Sequence, residues 1–97
     1  MNLSECRTQI DDIDRRIVEL LEMRAAISAE VGDIKARAGL PVVDWERESE
    51  VLRSVTAACS GIMEPEAVGR IYRRILRESR QIQFDVANSA ERNAGVR

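Results

Sequence analysis

Apolar residues recur along the first third of the chain in steps of four and three: Cys6, Ile10, Ile13, Ile17, Leu20, then Ile27, Val31, Ile34 and Ala38. That alternation is the repeat of a helix that lays one narrow stripe against another helix. One step is missing between Leu20 and Ile27, and the position that would complete it holds Arg24. From about Ser4 to Ala38 there is no proline and one glycine, Gly32, so the spacing predicts a single long helix. Gly39, Pro41 and the β-branched pair Val42 and Val43 end it and form a loop. Asp44 suits the N-cap of a second helix running to about Cys59, with Val51, Leu52, Val55 and Cys59 on its apolar side. Ser60 and Gly61 break the chain again. Pro65 opens a third helix through about Val86, whose apolar side carries Val68, Ile71, Tyr72, Ile75, Leu76, Ile82 and Val86. Asn88 to Arg97 is polar and reads as a frayed tail, leaving residues 1–87 as one helical domain. The expectation is an all-α chain of one long and two shorter helices, with no internal repeat.

The long helix bears on assembly. About 35 residues at ~1.5 Å each make a rod of roughly 52 Å. A compact chain of about 100 residues is only some 35 Å across, given its radius of gyration near ~13 Å. The rod overhangs anything the other two helices can cover, yet its stripe stays apolar. A second copy of the chain, related by a two-fold axis, would bury both stripes, which predicts an intertwined homodimeric bundle. A monomeric three-helix bundle with a shorter first helix is the alternative.

Composition narrows the chemistry. Of 97 residues 44% are apolar, so the chain can form a core, but Trp45, Tyr72 and Phe84 are its only aromatics. Aliphatic side chains must then do the packing, which favours helix on helix. A net charge of -2, with Lys and Arg interleaved among Asp and Glu, lacks the concentrated basic surface of a nucleic-acid binder. The sequence has no histidine, and Cys6 and Cys59 stand far apart. Histidine-ligated metals, zinc fingers and histidine-based triads are excluded, and the cysteines read as small buried hydrophobes in a reducing compartment. No apolar run is long enough to span a membrane, and Met1 to Gln9 is too polar for a signal peptide. The expected location is the cytoplasm.

Several charges sit where apolar residues are expected. Arg24 occupies a stripe position, where it must either reach the surface or find an anion. Lys35 follows eleven residues later, close to three turns, so the two long side chains share a face about 16 Å apart and can converge on a small anion. Arg7 lies seventeen residues before Arg24, roughly 25 Å along the axis, and cannot join the same site within one chain. In an antiparallel dimer it could reach the partner's site. On the second helix, Asp44, Glu46 and Glu48 suit the positive end of the helix dipole, but Arg47 among them is misplaced. On the third, Ser79 and Gln83 are one turn apart and continue an apolar stripe, where polar groups need partners. Each has an ordinary explanation in capping or solvation. Together they outline a pocket of cations, a carboxylate and two neutral hydrogen-bonding groups, suited to a compact dianion.

Arg7, Arg24, Val31, Lys35, Asp44, Arg47, Glu48, Ser79 and Gln83 resemble, in order and spacing, the active-site pattern of the AroQ-class chorismate mutases. The blocks RxxIDxIDRxIxxLLxxR (Arg7 to Arg24), VGxxK (Val31 to Lys35) and DxERE (Asp44 to Glu48) carry the likeness, which spans about Cys6 to Val86. The resemblance implies rearrangement of chorismate to prephenate in a homodimer. Arg24, with Arg7 from the other subunit and help from Arg47, would clamp the substrate carboxylates. Lys35 and Gln83 would donate to the ether oxygen of the breaking bond, and Arg24, Lys35 and Gln83 would be the catalytic set. Glu48 would accept from the ring hydroxyl, Ser79 and Asp44 would sit nearby, and Val31 would shape the wall. An intramolecular rearrangement needs no nucleophile, metal or organic cofactor, so none is expected. The rival readings are an isochorismate-pyruvate lyase or an aminodeoxychorismate mutase of the same fold, and a non-catalytic helical dimerisation or regulatory module.

Overall fold

The computed structural model describes the backbone of residues 1–95 and the side chains of residues 1–92. Three helices account for nearly all of it: α1 (Leu3–Ala38), α2 (Trp45–Ala57) and α3 (Pro65–Gly95), and no strand occurs among the described residues. The fold is all-α, as the periodicity predicts. No helix is long and apolar enough to cross a membrane among the described residues.

The ends of the elements follow local chemistry. Asn2 caps α1, its side-chain Oδ1 accepting from the Glu5 backbone N–H while its Nδ2 donates to the Glu5 carboxylate. At the other end Gly39 adopts φ 67°, ψ 24°, and its N–H and that of Leu40 close back on the last carbonyls. Only glycine reaches that left-handed conformation without strain, which is why the helix stops there. Asp44 caps α2 through the Arg47 N–H, as expected. α3 departs from the expectation of an end near Val86: it continues to Gly95. Residues 87–94 contain neither glycine nor proline, and Val86, Ala87 and Ala90 keep a half-buried face, so nothing breaks the helix earlier. The last two residues of the expected tail, 96 and 97, lie outside the described residues.

α3 is the centre of the arrangement. α1 runs parallel to it, Arg24 lying beside Ser79 and Lys35 beside Gln83. α2 runs antiparallel to it, with Glu48 against Arg80 and Thr56 near Gly69. α1 meets α3 through a face of small residues, Ala25, Ser28, Ala29, Gly32 and Ala36, all buried or half-buried. Gly32 sets the approach: a Cβ there would stand 2.8 Å from the Gln83 Cα. Hence the face α1 uses inside the chain is the one next to its aliphatic stripe.

The stripe itself is left open. From Arg7 through Met23 every residue of α1 is exposed, including Ile10, Ile13, Ile17 and Leu20. Leu76 is the one large hydrophobic side chain that is buried among the described residues. The molecule measures 62 × 27 × 14 Å with a radius of gyration of 17.4 Å, against ~13 Å for a compact chain of about this length. A helical arm thus projects from a small three-helix body, its apolar side bare.

Candidate active site

Where the second half of α1, the start of α2 and the middle of α3 converge, they enclose an open cavity of about 350 Å³, within the range of small-molecule sites. Arg24, Val31, Lys35, Asp44, Arg47, Glu48, Ser79 and Gln83 all line it, so eight of the nine residues singled out in the sequence meet in one place. Arg7 does not: it stands exposed on the free arm, roughly 25 Å along the helix from Arg24. The structure of one chain therefore contains the cavity without that arginine.

Arg24 is half-buried, and its Nη1 donates to Ser79 Oγ, so the cation in the stripe has a neutral partner and keeps its charge for a ligand. Ser79 is itself buried and is thereby explained as the group that aims Arg24. Lys35 Nζ donates to the Val42 carbonyl at 2.8 Å and to Gln83 Oε1 at 2.9 Å. An ammonium group has three protons and no acceptor, so one N–H of Lys35 remains free. The same fact orients the amide: lysine can only donate, so Gln83 turns its oxygen to Lys35 and leaves its NH2 group to donate elsewhere. The pair is a preset fork of donors, held by the close α1–α3 approach at Gly32.

The α2 side is acidic and basic by turns. Asp44 accepts from the Arg47 N–H at 3.0 Å and is occupied as a cap. Arg47 lines the cavity but is exposed, with its Nη1 3.3 Å from Glu50 on the surface, a pairing of little energetic weight. Glu48 accepts at Oε1 from Arg80 Nη1, and the Arg80 guanidinium lies 4.9 Å from the centroid of the Trp45 ring. Four cations, Arg24, Lys35, Arg47 and Arg80, against two carboxylates leave the cavity net positive. Ile27, Val31, Val42, Val51 and Leu76 supply the apolar walls.

Sequence reasoning missed Ser28, Val42 and Arg80. Val42 anchors Lys35 through its backbone carbonyl, a contact no side-chain pattern reveals. Arg80 was detectable: it follows Tyr72 and Leu76 at four-residue steps, a charge interrupting an apolar stripe just as Arg24 does on α1.

With this geometry in hand, comparison with known proteins assigns the family. The family model described as chorismate mutase type II matches residues 6–84. A T-protein of Enterobacter agglomerans is 37% identical over 78 residues, covering 79% of this chain. A chorismate mutase of Methanocaldococcus jannaschii is 29% identical over 82 residues, covering 84% of this chain and 83% of its own length. The chain spans only 21% of the length of that T-protein. Among solved structures, a chorismate mutase of Thermus thermophilus superposes with a TM-score of 0.82 at 28% identity, covering 84% of this chain and 92% of the other. The chain belongs to the chorismate mutase type II family.

Proposed function

We propose that this member of the chorismate mutase type II family converts chorismate to prephenate, in a site completed by a second copy of the chain. The observation that carries the reading is the Lys35–Gln83 pair, whose mutual hydrogen bond leaves one ammonium N–H and the amide NH2 to donate together. In a [3,3] rearrangement the ether C–O bond breaks as a C–C bond forms within one molecule, and negative charge grows on the ether oxygen. Two fixed donors aimed at that oxygen stabilise the transition state more than the ground state, each by about 10²-fold or more in a site with little water.

Arg24 serves one carboxylate of the dianion through its planar fork, with Arg47 at the rim. The aliphatic walls and buried Leu76 hold the ring in the folded conformer in which the two reacting carbons meet. Glu48 accepts from the ring hydroxyl, Ser79 keeps Arg24 in place, and Asp44 fixes the start of α2. No residue needs to exchange a proton, and no metal or cofactor takes part.

The second carboxylate falls to Arg7 of the partner subunit. The bare stripe supports this assembly, because Ile10, Ile13, Ile17 and Leu20 continue directly into Ile27 and Val31 of the cavity wall. A second helix laid antiparallel along that stripe buries it and brings an Arg7 to the cavity mouth. The reading includes a cytoplasmic location and no nucleic-acid or membrane partner, in keeping with the interleaved surface charge.

The test is loss of chorismate with purified protein, with the product identified, beside parallel assays of isochorismate and 4-amino-4-deoxychorismate. Prephenate formation is the expected result. Pyruvate release from isochorismate would instead assign a lyase, preferred turnover of the amino compound would assign the amino-substrate enzyme, and inertness towards all three would leave a binding module.

A further inference from the structure

Arg80 is the one cation in the cavity that the proposed rearrangement leaves without a task. The Arg80–Glu48 pair differs from the other ion pairs among the described residues. Its side chains are 23% and 16% exposed, whereas every partner in the others is 47% exposed or more. Sheltered pairs keep their geometry and their mutual field; exposed ones are screened away. Arg80 is further held by Trp45, over whose ring the guanidinium lies. Arg80 and Glu48 also line a second cleft between α2 and α3, together with Trp45, Ser49, Arg73 and Arg77. The Arg80–Glu48 pair is therefore part of the wall shared by that cleft and the active site.

We propose that Arg80 is a positioning and specificity-determining residue, which fixes Glu48 and offsets its charge so that the site selects a neutral hydroxyl over a cationic amine on the substrate ring. The inference rests on the chorismate reading of the site. With Oε1 occupied by Arg80, Oε2 is the oxygen left to accept from a ligand. A lone carboxylate in a sheltered wall prefers an ammonium group, which brings both a hydrogen bond and a full charge. The guanidinium cancels that preference. A group held on Oε2 lies within roughly 6 Å of it, where like charges repel enough to shift a relative affinity by about tenfold or more. A hydroxyl loses nothing to that repulsion and still meets an oriented acceptor. The amine of 4-amino-4-deoxychorismate is protonated near neutral pH, so Arg80 separates two substrates that Glu48 alone would not.

Steady-state kinetics of wild type, Arg80→Gln, Arg80→Lys, Glu48→Gln and the Glu48→Gln/Arg80→Gln double variant, on chorismate and on the 4-amino compound, test this. Arg80→Gln is expected to lower kcat/KM for chorismate, because the ring hydroxyl held by Glu48 stands on the carbon next to the breaking C–O bond and its misplacement reaches the reacting centre. The ratio of kcat/KM for the amino compound to that for chorismate should rise about tenfold. Arg80→Lys keeps the charge and should hold the ratio near the wild-type value. On chorismate the double variant should match Glu48→Gln alone, since the hydroxyl is held through Glu48; on the amino compound it should exceed Glu48→Gln, since the guanidinium still repels the amine there. A purely structural role would lower both activities together and leave the ratio fixed, and that result overturns the proposal, as does additivity of the two losses on chorismate in the double variant. Wild type inert towards chorismate overturns the functional reading and this proposal with it; an active wild type beside an unchanged ratio overturns this proposal alone.

Discussion

Replacing Gly32 by alanine puts a methyl group where α1 and α3 leave no space for one. The new Cβ would stand 2.8 Å from the Gln83 Cα, 3.1 Å from its carbonyl oxygen and 3.3 Å from its Cβ. Carbon–carbon contacts are comfortable from about 3.5 Å, so the helices must part by roughly 0.7 Å. Two of the three obstructing atoms are backbone, and no rotamer change relieves them. Overpacking of this kind costs about 1–3 kcal/mol, against a gain of up to ~1 kcal/mol from alanine's better helix propensity. The net expectation is a loss near ~1 kcal/mol, or a melting temperature lower by about 4–8 °C for a chain of this size. Activity should suffer more than stability, because the displaced residue is Gln83, the proposed donor to the ether oxygen. A shift approaching 1 Å at a reacting group costs on the order of 10²-fold, so kcat/KM for chorismate should fall at least tenfold. Gly69→Ala is the matched control: its Cβ would find atoms no nearer than 3.7 Å, and there the propensity gain of up to ~1 kcal/mol should appear as a higher melting temperature with unchanged rate. Thermal unfolding and chorismate turnover of both variants settle the point. If Gly32→Ala behaves like Gly69→Ala, the close helix approach is not what positions Gln83, and the reasoning fails.

Two further substitutions probe the chemistry and the assembly. Gln83→Glu replaces an amide donor with a group that donates only when protonated, and free glutamic acid titrates near ~4.3. The variant should be active in acid and lose activity as pH rises through its carboxyl pKa, whereas wild type should vary little from about pH 6 to 8, where amides do not titrate and lysine and arginine ordinarily stay protonated. Full activity of the variant at pH 8 would refute donation by Gln83. Ile17→Asp places a charge in the middle of the bare stripe of α1. Light scattering should show the mass falling from that of two chains to one, with loss of turnover. A variant that stays dimeric would show that the stripe is not the pairing surface.

How far the sequence discloses the molecule depends on whether the signal lies in side-chain periodicity. The long helix, its stop at Gly39 and the cap at Asp44 follow from local chemistry and appear where the residues put them. Arg24 is conspicuous because it breaks an otherwise regular stripe, and eight of the nine singled-out residues do meet around one cavity. The end of α3 is harder to place, because the polarity beyond Val86 suggests fraying although Ala87 and Ala90 keep a half-buried face. The intrachain packing face of α1 is also hidden. Ala25, Ser28, Ala29, Gly32 and Ala36 count for little on any hydropathy scale, yet they are what lets α3 come close. The aliphatic stripe draws attention instead, and along the arm it lies exposed. Arg80 is visible as a charge in the Tyr72–Leu76 stripe, but its pairing with Glu48 and Trp45 across a helix pair is a relation carried by tertiary geometry alone.

A chorismate site made from the cavity of one chain and Arg7 of another is tested most directly by mixing two defective variants. Arg7→Ala and Arg24→Ala should each be nearly inactive, down about 100-fold or more if each arginine holds a carboxylate in the transition state. Unfolded together in equal amounts and refolded, half of the dimers carry one copy of each variant, and each such dimer has one site with both arginines intact. Prephenate formation should then return to about a quarter of the wild-type rate. A mixture no more active than the mean of its two parents would contradict the shared site, and with it the place assigned to Arg7.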